Sequence, residues 1–288
     1  MAFTSHPTQR QKIAVIGSGI AGMSAAWLLN QRHDVTLYEK ADRLGGHSNT
    51  VTVPTSLGAT PVDTGFIVYN DVTYPNLVAL FDHLGVPTKP SDMSFGVSLN
   101  GGRTEYSSVG ASAFLCGGRN LISPRFWSMT LDLLRFYKNA PIELPRTRSD
   151  LISLGEYLES RAYGEAFKRD HLLPQAAAIW SASMAEIHHY PACAFVRFFE
   201  NHGLLKLKGR PEWSTVEGGS RAYVAKLTAP YADRARLNCG AVSVRRDASS
   251  AWVRDAQGQA QQYDNVVIAT HADEALAMLD DPTPQERA

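Results

Sequence analysis

Apolar and polar positions change rhythm three times along the chain. The first regime opens with Ile13-Ala14-Val15-Ile16, four apolar residues in a row, the pattern of a short strand covered on both faces. Three glycines follow, and then Ala21, Ala25, Trp27, Leu28 and Leu29 supply helix formers with an apolar side, closed by Asn30-Gln31-Arg32. Asp34-Val35-Thr36-Leu37-Tyr38 reads as a second strand, and residues 49–53 and 62–68 as two more. Residues 74–84, YPNLVALFDHL, form an amphipathic helix ended by Gly85 and Pro87.

From about residue 88 the rhythm is different. Residues 93–99 alternate as a half-buried strand, Asn100-Gly101-Gly102 makes a hairpin turn, and residues 103–106 return. Helical stretches follow over 126–138, 150–161 and 163–180. Leu131, Leu134, Phe136 and Tyr137 give the first of these a broad apolar face. In the third regime strands come back at 212–216. Glu217-Gly218-Gly219-Ser220 then turns into a helix over 221–227, with Ser220 placed to cap it. A strand over 235–244, a hairpin around Asp255-Ala256-Gln257-Gly258, a second fully buried strand over 264–270 and a short helix over 272–279 complete the pattern.

The glycines give the first regime its chemistry. Gly17, Gly19 and Gly22 stand in G-x-G-x-x-G spacing directly after a strand and at the start of a helix, and Glu39 lies at the tip of the next strand. In that context Gly17 makes the tight turn, Gly19 lets a pyrophosphate reach the backbone, and Gly22 allows close helix–strand packing. The amides of Ser18, Gly19, Ile20, Ala21 and Gly22 sit at the positive end of the helix dipole. Glu39 is placed to accept hydrogen bonds from ribose hydroxyls and to repel a 2′-phosphate, which favours NAD or FAD over NADP.

Past Glu39 the chain continues Lys40-Ala41-Asp42-Arg43-Leu44-Gly45-Gly46-His47. Here it resembles the flavin-containing amine oxidase and phytoene desaturase superfamily, whose first motif runs past the ribose acid into an R-x-G-G turn. The resemblance implies an FAD site that takes in Lys40, Arg43, Leu44, Gly45, Gly46 and His47, with Arg43 and the glycine amides on the pyrophosphate. It implies that Gly65 and Phe66, in the turn begun by Asp63, lie beside the flavin. Val242 would cover one adenine face, and Ala269 and Thr270, in a D-x-V-V-x-A-T strand, would pass near the cofactor. Residues 176–205 look like a bacterial subgroup of flavin-dependent amine-oxidase-like proteins.

The fold expected from these readings is α/β. A Rossmann-like FAD-binding domain, a parallel sheet with helices, occupies 1–87 and 211–288, and an inserted α+β substrate domain occupies 88–210. The activity implied is hydride transfer from a C–H of a small-molecule substrate, an amine or an apolar compound, to flavin N5, with no catalytic residue singled out. A non-redox flavoenzyme of the mutase type and a catalytically inactive nucleotide-binding protein stay open as alternatives. Relatives in the superfamily continue into a late flavin-binding segment, whereas this chain runs into the polar residues 280–288, so it is expected to be C-terminally short, either truncated or completed by a partner.

Composition narrows the remaining classes. Lys plus Arg and Asp plus Glu are 28 each, so no net field draws the chain to nucleic acid or to an anionic membrane. Cys116, Cys193 and Cys239 are widely spaced and odd in number, which argues against a disulfide framework or a zinc site and fits a reducing compartment. A polar start and an apolar run broken by glycines predict neither a signal peptide nor a membrane span, hence a cytoplasmic protein. His188 and His189 are adjacent and would point about 100° apart on a helix, which argues against a shared metal ion. His202 has two explanations, a pocket wall or a capped helix end.

Overall fold

The computed structural model of the chain describes residues 9–56, 58–144 and 152–287. The polar start at 1–8 and the first two residues of the helix expected over 150–161 lie outside the described residues. Two compact units are present. One runs over Met1–Tyr69, Pro75–Pro90 and Ser214–Ala288, the other over Asn70–Tyr74 and Ser91–Trp213. The crossings therefore fall at 90/91 and 213/214, three residues later than the expected 87/88 and 210/211. Within the first unit, Ser214 exchanges backbone hydrogen bonds with Tyr69 at 2.8 and 3.0 Å, and the Glu217 amide donates to the Pro87 carbonyl at 2.9 Å. These bonds tie the flanking residues into the first unit.

The centre of the first unit is strand β1 (Lys12–Ile16), followed by helix α1 (Ile20–Asn30) and strand β2 (Asp34–Tyr38). A hairpin of β3 (Thr50–Thr55) and β4 (Gly58–Asp63) and helix α2 (Pro75–Leu84) come next. After the second unit the chain returns as α3 (Arg221–Thr228), β5 (Ala235–Arg236), β6 (Ala241–Arg246), β7 (Ala251–Asp255), β8 (Ala260–Tyr263), β9 (Asn265–Ile268) and α4 (Ala272–Met278). Four strands form a wholly parallel sheet in the order β9-β1-β2-β5, with Val15 opposite Val267 on one side and Leu37 on the other. Strands β6, β7 and β8 form an antiparallel sheet of their own.

The apolar run in β1 follows from this layering. Ala14 and Ile16 pack with Tyr38 against Val244, Val253 and Tyr263 of the antiparallel sheet. Val15, on the opposite face, packs with Val35 and Leu37 against Ala26 of α1 and Tyr231. A strand with cover on both faces has no place for a polar side chain. The buried residues of α1 are Gly22, Met23 and Ala26; of the apolar side expected from Ala21, Ala25, Trp27, Leu28 and Leu29, Trp27 and Leu29 pack on the core while Ala21 and Leu28 are exposed.

Two strand expectations are corrected. The strand expected over 62–68 is β4, which ends at Asp63 because that carboxylate turns aside. It accepts the Ser220 amide at 2.9 and 3.0 Å, the Ser220 hydroxyl at 2.9 Å and the Thr50 hydroxyl at 2.6 Å. Ser220 consequently makes no side-chain cap on α3; Asp63 satisfies the helix start instead. The strand expected over 235–244 is two strands, β5 in the parallel sheet and β6 in the antiparallel one, broken where Asn238 adopts a positive φ of 52°.

The second unit is mainly helical. Its longest helix among the described residues, Pro124–Glu143, buries Phe126, Met129, Leu133, Phe136 and Ala140; of the expected apolar face Phe136 is buried and Tyr137 packs on the core, whereas Leu131 and Leu134 are exposed. Helices Leu154–Ser160 and Met184–His188 both start with a capping box, Ser153 with Glu156 and Ser183 with Glu186. A π-helical stretch at Lys168–Leu172 leads into helix Leu173–Trp180. Helix Ala192–Asn201 adds Phe195 and Phe199 to an aromatic core around Phe136. A small hairpin, Gly96–Leu99 with Thr104–Ser107, packs Val97 and Tyr106 on Phe126 and Met129.

Candidate nucleotide site

The three glycines that open α1 have different surroundings. Gly17 has φ +96°, and a β-carbon on it would lie 2.9 Å from the Ala269 carbonyl oxygen. One on Gly22 would lie 1.8 Å from the Gly17 carbonyl oxygen, an overlap that no side chain can relieve. Gly19 differs from both. Its backbone is extended, φ −63° and ψ 175°, and a β-carbon there would meet nothing within 4 Å. Two glycines are thus required by the fold, whereas the third faces open space.

Beside that opening Glu39 is buried, and neutral donors hold it. Its Oε2 accepts the Ser18 amide at 2.9 Å and the Ser18 hydroxyl at 2.5 Å, and its Oε1 accepts the Ala41 amide at 2.8 Å. A carboxylate offers about four lone-pair positions. Three are in use, and the one left, on Oε1, is available to a hydroxyl group.

Both features border a cavity of about 590 Å³ that lies within the first unit. One wall is the backbone of Gly17, Ser18 and Gly19 with Gly46 and His47. A second is Gly240, Ala241 and Val242, and a third is Ala269, Thr270 and His271 with Glu274, Ala277 and Met278 of α4. Ile16, Tyr38, Glu39 and Lys40 complete the lining. Lys40 and Glu274 form an exposed ion pair at 2.7 Å, and each holds the other charged: the lysine is raised above its ordinary value and the glutamate lowered. The rings of His47 and His271 lie nearly parallel, 6.0 Å between centroids and 13° between planes. Burial, then the hydrogen bond to Tyr263, raises the Tyr38 phenol above its ordinary range, so it stays neutral.

Of the residues expected from the sequence, Gly17, Ser18, Gly19, Glu39, Lys40, Gly46, His47, Val242, Ala269 and Thr270 line this cavity. Val242 is half exposed there, as an apolar wall without its own cover would be. The others stand outside the wall, each for a definite reason. Ile20 and Ala21 are exposed on the first turn of α1, and Gly22 is pressed on the Gly17 carbonyl. The Arg43 guanidinium folds back on its own turn, donating to the Gly46 carbonyl at 2.9 Å and the Leu44 carbonyl at 3.5 Å. Leu44 packs against the apolar cluster between the parallel sheet and α1. Gly45, φ +113°, donates to the Ser18 carbonyl at 3.0 Å and so docks the turn on the glycine loop. A β-carbon on Gly65 would lie 2.0 Å from the His47 carbonyl, and the Phe66 amide donates to that same carbonyl at 3.4 Å. Gly65 and Phe66 therefore support His47 from behind.

Sequence reasoning missed Gly240, Ala241, His271, Glu274, Ala277 and Met278. His271 directly follows Ala269-Thr270, and Gly240 has a close-approach reason, since a β-carbon there would lie 2.9 Å from the Lys40 Cβ. In the second unit His202 stacks on Phe198 at 4.0 Å, with Nδ1 2.9 Å from the Phe198 carbonyl oxygen. No group of three metal-ligating side chains occurs among the described residues. No helix among them is long and apolar enough to cross a membrane.

The sequence profile of flavin containing amine oxidoreductases matches residues 20–288. The chain belongs to that family. The cofactor of the family is FAD. A Mycobacterium tuberculosis protein named for a flavin-containing monoamine oxidase, AofH, is 26% identical over 291 residues, which covers 98% of this chain and 62% of the relative. A bilirubin reductase from Mediterraneibacter gnavus is 45% identical over a 47-residue stretch, 16% of this chain and 7% of that protein. Among solved structures, cyclohexylamine oxidase from Brevibacterium oxydans superposes with a TM-score of 0.72 at 20% identity over 97% of this chain and 62% of its own. Putrescine oxidase with putrescine bound gives 0.69 at 20% identity over 98% and 63%. At that identity the solved structures establish the fold, a Rossmann-like α/β architecture. The chain spans less than two thirds of the length of these relatives.

Proposed function

We propose that the first unit holds FAD with its adenosine diphosphate in the 590 Å³ cavity, and that the protein is an oxidoreductase acting on a small molecule, an amine or an apolar compound. FAD, when bound, supplies a two-electron acceptor for the hydride of a substrate C–H. This chain's own residues bind and orient it. The peptide groups around Gly19 and the first turn of α1 present donors to the diphosphate. Glu39 offers the remaining Oε1 lone pair to a ribose hydroxyl, and Val242 covers a face of the adenine. The second unit is assigned the substrate.

One observation carries this reading. The single glycine of the three that faces open space stands beside a buried carboxylate with one acceptor position left. That is the pair of features an adenosine diphosphate requires.

The same observation supplies a clean test. Gly19 already has a backbone conformation open to any residue, so Gly19→Val leaves the fold intact while filling the position of the diphosphate. The wild-type protein is expected to purify yellow with about one FAD per chain, and Gly19→Val to lose most of it at an unchanged melting temperature. Full flavin content in a folded Gly19→Val protein would sink the proposal.

A further inference from the structure

A bound diphosphate carries negative charge, yet the cavity offers it no unpaired fixed cation. Lys40 is tied to Glu274 at 2.7 Å, and Arg43 donates to carbonyls of its own turn outside the wall. The remaining cationic candidates among the lining residues are His47 and His271. His47 adjoins Gly46, whose α-carbon side faces Gly19; a β-carbon on Gly46 would lie 3.0 Å from the Gly19 Cα. His271 adjoins Thr270 and precedes α4 without using its side chain as a cap. Both rings are exposed, and neither makes a hydrogen bond among the described residues. They lie nearly parallel at 6.0 Å.

We propose that His47 and His271 are the anion-binding side chains of this cavity, a pair of imidazoles that take up protons as they clasp the FAD diphosphate. The inference rests on the FAD reading above and goes beyond it. Histidine is the side chain that changes charge between about pH 5 and 8. Two protonated rings in parallel repel each other when nothing lies beside them, and an anion removes that cost while gaining charge-assisted hydrogen bonds. Binding and protonation are therefore linked, and FAD is held more tightly as pH falls. The other charged groups lining the cavity are Glu39, Lys40 and Glu274, and the Glu274 carboxylate stands close enough to His271 to interact with its charge. Lys40 and Glu274 hold each other ionised, and Glu39 is engaged by Ser18 and Ala41.

The test uses the FAD-loaded protein. Dilution into buffers of constant ionic strength from about pH 6 to about pH 8.5, with the fluorescence of released FAD as readout, gives the dissociation constant. Wild type is expected to weaken about tenfold over this range, the size of one charge-assisted hydrogen bond. The His47→Gln/His271→Gln double variant is expected to match wild type at the upper pH and show no slope. His271→Lys, with a charge that does not titrate here, is expected to keep tight binding at the upper pH. A flat wild-type profile, or a slope that survives in the double variant, overturns the role of the pair and leaves the FAD site standing. Absence of bound FAD at every pH overturns both.

Discussion

Glu39 in the first unit and Asp170 in the second are buried carboxylates held in opposite ways. Glu39, 8% exposed, is surrounded by two backbone amides and a hydroxyl at a cavity wall, and it forms no ion pair among the described residues. Asp170, 5% exposed, is neutralised by a two-pronged bond from Arg125, at 2.6 Å from Nε and 2.9 Å from Nη2. Next to Asp170, the Tyr106 hydroxyl donates to the Asp170 carbonyl at 2.6 Å, so it accepts from Nδ1 of His171 at 2.9 Å. The remaining nitrogen, His171 Nε2, is buried without a hydrogen-bond partner among the described residues. In the second unit Asp170 thus has both carboxylate oxygens taken up by one guanidinium. In the first unit, Glu39 keeps an acceptor position for something else. A carboxylate satisfied by neutral donors stays an attractive site for hydroxyl groups, whereas one closed by a guanidinium does not.

The largest effect that would sharpen this contrast lies in the aromatic core. Phe136 is fully buried among Tyr157, Tyr163, Phe167 and Phe195. Phe136→Ala should cost about 4 kcal/mol by denaturant unfolding, while the folded fraction keeps its flavin; coupled loss of flavin would show that the units do not act separately. Acid is the next probe. Burial, with the Arg210 charge adding to it, pushes His171 down to about 4. In the unfolded chain a histidine titrates near 6.5. Above that value both states are neutral. Between about 6.5 and 4 only the unfolded chain takes the proton, so stability falls as pH falls, by about 3 kcal/mol in all, and levels off below 4. His171→Asn should flatten that decline in a pH series of melting temperatures. The smallest of the three effects tests the first unit. Glu39→Gln turns an amide NH₂ toward either Ser18 or Ala41, both donors, and should cost about 2 kcal/mol of stability together with a measurable loss of bound FAD. A variant that keeps both would place the ribose elsewhere.

The parts of the fold that follow from backbone chemistry were legible in the sequence. Strand, glycine turn, helix and second strand are where the pattern puts them, because an apolar run and a glycine spacing are local statements. Side-chain destinations were less legible. Arg43 has the right neighbours for a phosphate ligand, but two carbonyls of its own turn lie closer to hand. Of the apolar face expected on the longest helix, Phe136 is buried, yet packing against Tyr157, Phe167 and Phe195 takes Leu133 in place of Leu131 and Leu134. Glu274, Ala277 and Met278 reach the cavity only because α4 folds back beside β6, where Asp280 donates to the Val244 carbonyl at 3.0 Å. No spacing in the sequence announces that.

The pairing of Ile13 with Asn265 has a consequence for biosynthesis. Strand β1 must keep an edge of unpaired amides and carbonyls until β9, about 250 residues later, has been translated. Nascent chains halted before residue 265 therefore expose a flat apolar ribbon, and it is in that interval that chaperones have the most to protect.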